Sequence, residues 1–280
     1  ELGHAVVHTL AGEDFGLERR RDDALGFDAW AIEEGVADFL AAAFMKDPLI
    51  AEYAFPSGGR PLDGDYTCPE DLSGEVHADG QIIGAALWEA FEAIDEPLVP
   101  VVLDALALLP EDGSFEDYSA ALLAVAEGSL SEDERNTLES ALETRGLLDC
   151  SRVVDSEDFG TGGVHEDLGR ERLLFVRSPR QGNVYAPAPP PPLQWRVQMP
   201  DDADTATLRF AFHSDLDYPQ GLGLGLKADE PIEYDYAIEG IDINVEADFD
   251  TFLPGADDGE IALETTPGST VYLAMLHPGT

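Results

Sequence analysis

The chain has 280 residues, 44 % of them apolar, enough to build the cores of one large domain or two ordinary ones and unlike a disulfide-stapled mini-protein. Its 58 Asp and Glu against 15 Lys and Arg leave a formal charge of −43, which repels phosphate backbones and anionic membrane surfaces and argues against nucleic acid as a partner. The longest apolar stretch, Leu98 to Leu109, is broken by Asp104 and falls far short of the roughly 20 residues of a membrane span.

The acid is spread evenly, 34 acids to 7 bases over residues 1–150 and 24 to 8 over 151–280, so no tail accounts for it. Such a surface suits a monomer kept dispersed in a salty or extracellular setting, where screening over about 10 Å softens self-repulsion. The chain opens on Glu1 without a basic and apolar leader and reads as a cut end. Two cysteines, Cys68 and Cys150, are too few for a metal cage; they suit one disulfide of an exported protein or two buried thiols.

Apolar residues at helical spacing predict helices over Leu2 to Leu10, Phe27 to Phe44, Ile82 to Ile94, Leu98 to Leu109, Phe115 to Ala126 and Glu132 to Leu147. The last opens with Ser131 and Glu134 in a capping-box pattern. Between the second and third helices, Ala54 to Gly74 is a long Gly-, Pro- and Asp-rich loop, a candidate site wall. After Cys150 comes a Gly-rich stretch ending in Pro187 and Pro189 to Pro192, a stiff linker over 151–192. Period-two alternation then predicts strands in Leu193 to Met199, Thr205 to Phe212, Ile232 to Ala237, Ile241 to Val245, Ile261 to Glu264 and Thr270 to Met275. Short strands at this spacing suggest an antiparallel β-sandwich over 193–280. Gly221, Gly223 and Gly225 lie in a strand-like run, so they are not a dinucleotide loop, which needs a following helix.

Three segments carry candidate chemistry. Glu1-Leu2-Gly3-His4 matches the last four positions of His-Glu-x-x-His, a motif whose two histidines face Zn²⁺ from one helix side while the glutamate takes a proton from bound water. Glu34 and Asp38, four apart on an otherwise apolar helix, form one face and need partners if buried. Gly74-Glu75-Val76-His77 turns from a loop into a helix and puts His77 at its start, where it can face a cleft.

The order Glu-x-x-His, Glu-Gly-x-x-Asp, then Gly-x-Val-His-x-x-Gly-x-Ile-Ile before an Ala-rich helix resembles the thermolysin-like and fungalysin-like zinc metallopeptidases, the gluzincins, over about residues 1–150. The resemblance implies a mainly α-helical peptidase lobe, with Glu1 as general base, His4 and Glu34 as zinc ligands, and His77 stabilising the oxyanion. Asp38 would orient a ligand histidine, the one expected directly before Glu1. A chain starting after that histidine is expected to be inactive as it stands. The interval of 30 residues from His4 to Glu34 is longer than in thermolysin, with Ala11 to Phe27, including Arg19-Arg20-Arg21, as an inserted loop. Asp71 and Glu75 lie near His77, but neither falls at the thermolysin spacing of the acid that orients this histidine.

His4 and His8 are also four apart, but that register puts Ala5 where the base should be. Val7 and Leu10 exclude the longer three-histidine pattern, and His165, His213 and His277 lack ligand spacing. Asp201-Asp202 and Asp257-Asp258 are candidate Ca²⁺ donors. The expected protein is a secreted zinc endopeptidase acting on protein or peptide substrates, with a β-sandwich accessory module. The alternative is a non-catalytic binding or adhesion protein whose sandwich holds the ligand.

Overall fold

The computed structural model describes residues 26–50, 59–72, 76–110, 113–156, 194–199, 201, 205–211, 223–232, 234–239, 242–248, 250–254, 258–264 and 266–276. The expected helix Leu2 to Leu10, the 11–25 part of the inserted loop, and the proline cluster lie outside them, as do Glu1, His4, His8, Glu75, His165, His213 and His277. The chain divides into two compact units, Glu1–Ser151 and Arg152–Thr280.

The first unit contains five described helices: α1 Gly26–Met45, α2 Val76–Ile94, α3 Leu98–Leu106, α4 Phe115–Ser129 and α5 Glu132–Thr144. A two-residue ladder lies between α1 and α2, β1 Leu49–Ile50 against β2 Arg60–Pro61. Helix α1 is apolar nearly all round, with Ile32, Val36, Phe39 and Ala42 buried, so it runs through the core instead of over the surface. It packs on α2, whose Ile82, Ile83, Leu87 and Phe91 are buried, and Phe39 meets Phe91 edge to face at 5.8 Å. In α4, Tyr118 is fully buried and donates its hydroxyl to the Val102 carbonyl of α3 at 3.0 Å; burial pushes its phenol far above the usual range.

Glycines set the α1–α2 separation. A Cβ at Gly80 would lie 2.7 Å from the Ala31 carbonyl oxygen and 3.0 Å from the Gly35 nitrogen, and one at Gly35 would land on the Gly80 carbonyl. Both obstacles are backbone, so relief requires moving a helix. Gly80→Ala is therefore expected to cost about 2–3 kcal/mol, read as a lower urea midpoint at unchanged m-value.

The helix ends follow local chemistry. Ser131 and Glu134 form the expected capping box, and the Ser131 hydrogen bonds hold the Glu134 carboxyl below its ordinary pKa. A second box, Ser114 with Asp117, opens α4; the expected signature asks for Glu or Gln at that position, and the shorter acid serves equally. Helix α3 stops at Leu106, short of the expected Leu109: the Leu108 and Leu109 N–H groups donate to carbonyls only three residues back, Ala105 and Leu106, in a tighter closing turn, and Pro110 then bars Leu109 from helical geometry. Helix α5 stops at Thr144, not Leu147. Gly146 at φ +69° turns the chain, its N–H donating to the Glu143 carbonyl and Leu147 N–H to that of Leu142, a Schellman ending.

The second unit is built of strands. Its largest sheet has the order β3-β4-β11-β6-β9, formed by Val153–Ser156, Gln194–Gln198, Thr270–Leu276, Gly223–Ala228 and Thr251–Pro254. Two further pairs are β5 Thr205–Ala211 with β10 Asp258–Glu264, and β7 Tyr234–Glu239 with β8 Asp242–Ala247. Two expectations change. Val153–Ser156, assigned to the linker, is an edge strand, and it pairs parallel with β4, so the sheet is mixed and not wholly antiparallel. The sandwich reduces, among the described residues, to these separate sheets. Gly223 and Gly225 do lie in a strand, β6, with no helix following it among the described residues, while Gly221 lies outside them. The buried Gln194 side chain is itself satisfied, donating to the Ile232 carbonyl and accepting from its N–H at 2.6 and 2.8 Å. Lys227, one of two lysines, lies in β6 with its pKa raised by its hydrogen bond to Asp248 and by Glu230 at 3.1 Å.

Candidate functional site

The glycine contact decides which side chains meet. Glu34 directly precedes Gly35 on α1, and His77 lies one turn before Gly80 on α2. Close approach of these backbones brings the Glu34 Oε2 within 3.6 Å of the His77 Nε2, although 43 residues separate the two in sequence. The Glu34 side chain is 16 % exposed and that of His77 42 %, so the carboxylate is recessed and the imidazole accessible. Glu33 is deeper still, at 1 % exposure. Asp28, Asp38 and Asp79 are also buried, an arrangement that an acid-rich chain maintains only by giving its inner carboxylates partners.

Asp38, four residues after Glu34, is 4 % exposed and is gripped by Arg60, whose Nε and Nη2 donate to its two oxygens at 3.0 and 2.7 Å. Neither Glu34 nor Asp38 is a solvated surface acid. Sequence reasoning misses Arg60; the signal present there is a lone base at the edge of an acidic loop. Its position is fixed by the β1–β2 ladder, in which Ile50 pairs with Arg60, and by Leu62 N–H donating to the Pro48 carbonyl at 3.0 Å.

Gln81, four residues after His77, reaches the same loop: its Nε2 lies 3.2 Å from the Pro61 carbonyl and 3.2 Å from the Tyr66 hydroxyl. Burial raises the Tyr66 phenol above its ordinary pKa, with the Gln81 hydrogen bond opposing. Asp71 accepts from the Thr67 N–H and hydroxyl, an engagement within its own turn.

The far end of the loop is anchored independently. Cys68 and Cys150 are joined by a disulfide, Cα to Cα 5.4 Å, which resolves the two options open in the sequence. Cys68 N–H donates to the Arg145 carbonyl at 2.9 Å, while the Arg145 guanidinium donates to the carbonyls of Gly64 and Tyr66 and to Glu89. A side chain at Gly146 would strike the Cys68 carbonyl, so the turn that ends α5 also seats the loop. A cleft of about 390 Å³ beside this anchor is lined by Leu62, Asp63, Trp88 and Glu92 among others and includes neither Glu34 nor His77.

Of the two ligands expected for Zn²⁺, Glu34 lies among the described residues and His4 outside them. Of that ligand set the described residues supply one donor, the recessed Glu34 carboxylate, an oxygen donor of the kind Zn²⁺ takes at about 2.0–2.2 Å. Among the described residues no three His, Cys, Asp or Glu side chains are grouped as a metal site. Of the Ca²⁺ candidates, Asp202 and Asp257 lie outside the described residues, and Asp201 is exposed. No described helix is long and apolar enough to cross a membrane. No protein-family model matches the chain, and neither curated proteins nor solved structures yield a match.

Proposed function

We propose that the helical unit is a metal-dependent hydrolase. Its particular activity on this reading is zinc endopeptidase of the thermolysin-like kind, secreted, acting on protein or peptide substrates, with the strands of the second unit closing into a β-sandwich accessory module. The observation that carries the proposal is the meeting of Glu34 and His77 at the α1–α2 crossing, the ligand and the oxyanion donor that the motif order implies. The buried Cys68–Cys150 bridge supports an oxidising compartment.

Bound Zn²⁺ would supply a water of pKa near ~7 and polarise the scissile carbonyl. The chain's own residues would do the rest. Glu34 and His4 would hold the ion, and Glu1 would take the proton of the attacking water and pass it to the departing amine. His77, whose side chain is accessible, would donate to the oxygen that gains negative charge in the tetrahedral transition state.

Metal removal tests this. The protein extended upstream of Glu1 should bind about one zinc per chain, lose peptide hydrolysis on treatment with a chelator and regain it with added Zn²⁺. Glu34→Ala should weaken zinc by more than about 100-fold, beyond the 10–100-fold cost of losing an outer partner, with helical circular dichroism unchanged. Wild-type zinc affinity in Glu34→Ala would remove the proposed ligand set.

A further inference from the structure

The dipeptide Arg60-Pro61 touches both helices of the site one turn beyond the Glu34–His77 pair. On α1, Asp38 follows Glu34 by four residues; on α2, Gln81 follows His77 by four. Residues at this spacing share a helix face, so each helix presents an upper and a lower group toward the same side. The lower groups, Glu34 and His77, meet directly at 3.6 Å. The upper groups do so through β2: the Arg60 guanidinium binds both Asp38 oxygens, and the adjacent Pro61 carbonyl accepts from Gln81 Nε2 at 3.2 Å.

We infer that Arg60-Pro61 is a clip that sets the spacing of the two helices at the site, and that Gln81 is the positioning residue that closes it. The inference rests on the hydrolase reading for its catalytic consequence but not for its geometry. The contacts divide the labour. The glycines fix how near the backbones come, but glycine contacts permit the helices to slide or roll. A charge-assisted bidentate pair on one side and a directed amide on the other oppose that motion. Proline has no N–H, so the Pro61 peptide offers the clip only its carbonyl, and Gln81 supplies the donor. The same Gln81 amide also reaches the Tyr66 hydroxyl, so one side chain of α2 holds the loop at two of its positions, Pro61 and Tyr66.

A positioning role differs from a structural one in what it moves. Gln81→Met keeps length and apolar volume but has no donor. In the upstream-extended protein, kcat should fall by about 10–100-fold, in line with sub-ångström misplacement of reacting groups, while KM stays within about twofold and Tm within about 3 °C. Gln81→Lys, long enough to donate to both oxygens, should recover most of the rate. The second measurement needs no activity: exchange of the Leu62 amide, held by the Pro48 carbonyl beside the clip, should quicken about tenfold in Gln81→Met while core amides of α5 such as Leu138 stay unchanged. A kcat within twofold of wild type overturns the positioning role. An inactive wild type overturns the hydrolase reading and that role together, and unchanged Leu62 exchange then overturns the clip as well.

Discussion

Replacing Cys68 and Cys150 together by alanine is expected to lower the unfolding free energy of the helical unit by about 4–5 kcal/mol, a shift on the order of a thousandfold in the unfolding equilibrium. The bridge spans 82 positions, and the entropy it removes from the unfolded chain grows with the logarithm of the loop it closes. For a unit of about 150 residues, that loss corresponds to a fall in Tm of roughly 10–15 °C. The folded state should change little. The Arg145 contacts to Gly64 and Tyr66, and the Cys68 N–H to the Arg145 carbonyl, seat the loop whether or not the sulfurs are joined. The double variant should therefore keep native near-ultraviolet dichroism at low temperature and unfold at lower urea. Ionic strength must be matched, because a net charge of −43 makes stability depend on screening. A change of less than about 1 kcal/mol would mean that the unfolded chain is already compact around this loop.

The largest effect on activity is expected from Glu1→Gln in the upstream-extended protein. Glutamine keeps the shape of the side chain but cannot accept the water proton, so kcat should fall by about 10³–10⁴ with zinc still bound. His77→Ala removes one donor to the developing oxyanion and should cost about 10²–10³, also with zinc retained. Retained metal separates these residues from Glu34, whose loss should release it. Because both act on one transition state, the double variant should fall short of the product of the two losses. A Glu1→Gln protein with more than a tenth of the wild-type rate would remove Glu1 as base, whereas a zinc-loaded wild type that hydrolyses nothing would favour the binding-module alternative.

The helices of the first unit were legible because they are long and their apolar residues recur at a fixed period. Their ends were less so. The end of α5 is set by Gly146 at φ +69° and its local hydrogen bonds, a stop signal that the apolar period running on to Leu147 masked, and only the fold shows that the same glycine lies against the Cys68 carbonyl, 78 positions away. Glu34, Asp38 and His77 could be singled out by spacing, yet Arg60 and Gln81 could not. A two-residue strand such as β2 has no period to detect, and a glutamine on a helix looks the same whether it faces water or a loop carbonyl. In the second unit, alternation marked most strands, but β3 has too few residues to alternate, and its parallel partner lies across the intervening chain.

By itself the sequence determined the charge and its argument against a nucleic-acid partner, the helical and strand-rich halves, the capping of α5 and the order of the candidate motifs. These depend on composition and on interactions within a few residues, which any window of the chain contains. Tertiary structure alone decided that Glu34 meets His77, that Arg60 takes Asp38, that Cys68 bonds Cys150 and that β3 joins the sheet edge. Each is a short-range force acting between groups far apart in sequence, so it exists only after helix packing and loop closure have brought its atoms within a few ångströms.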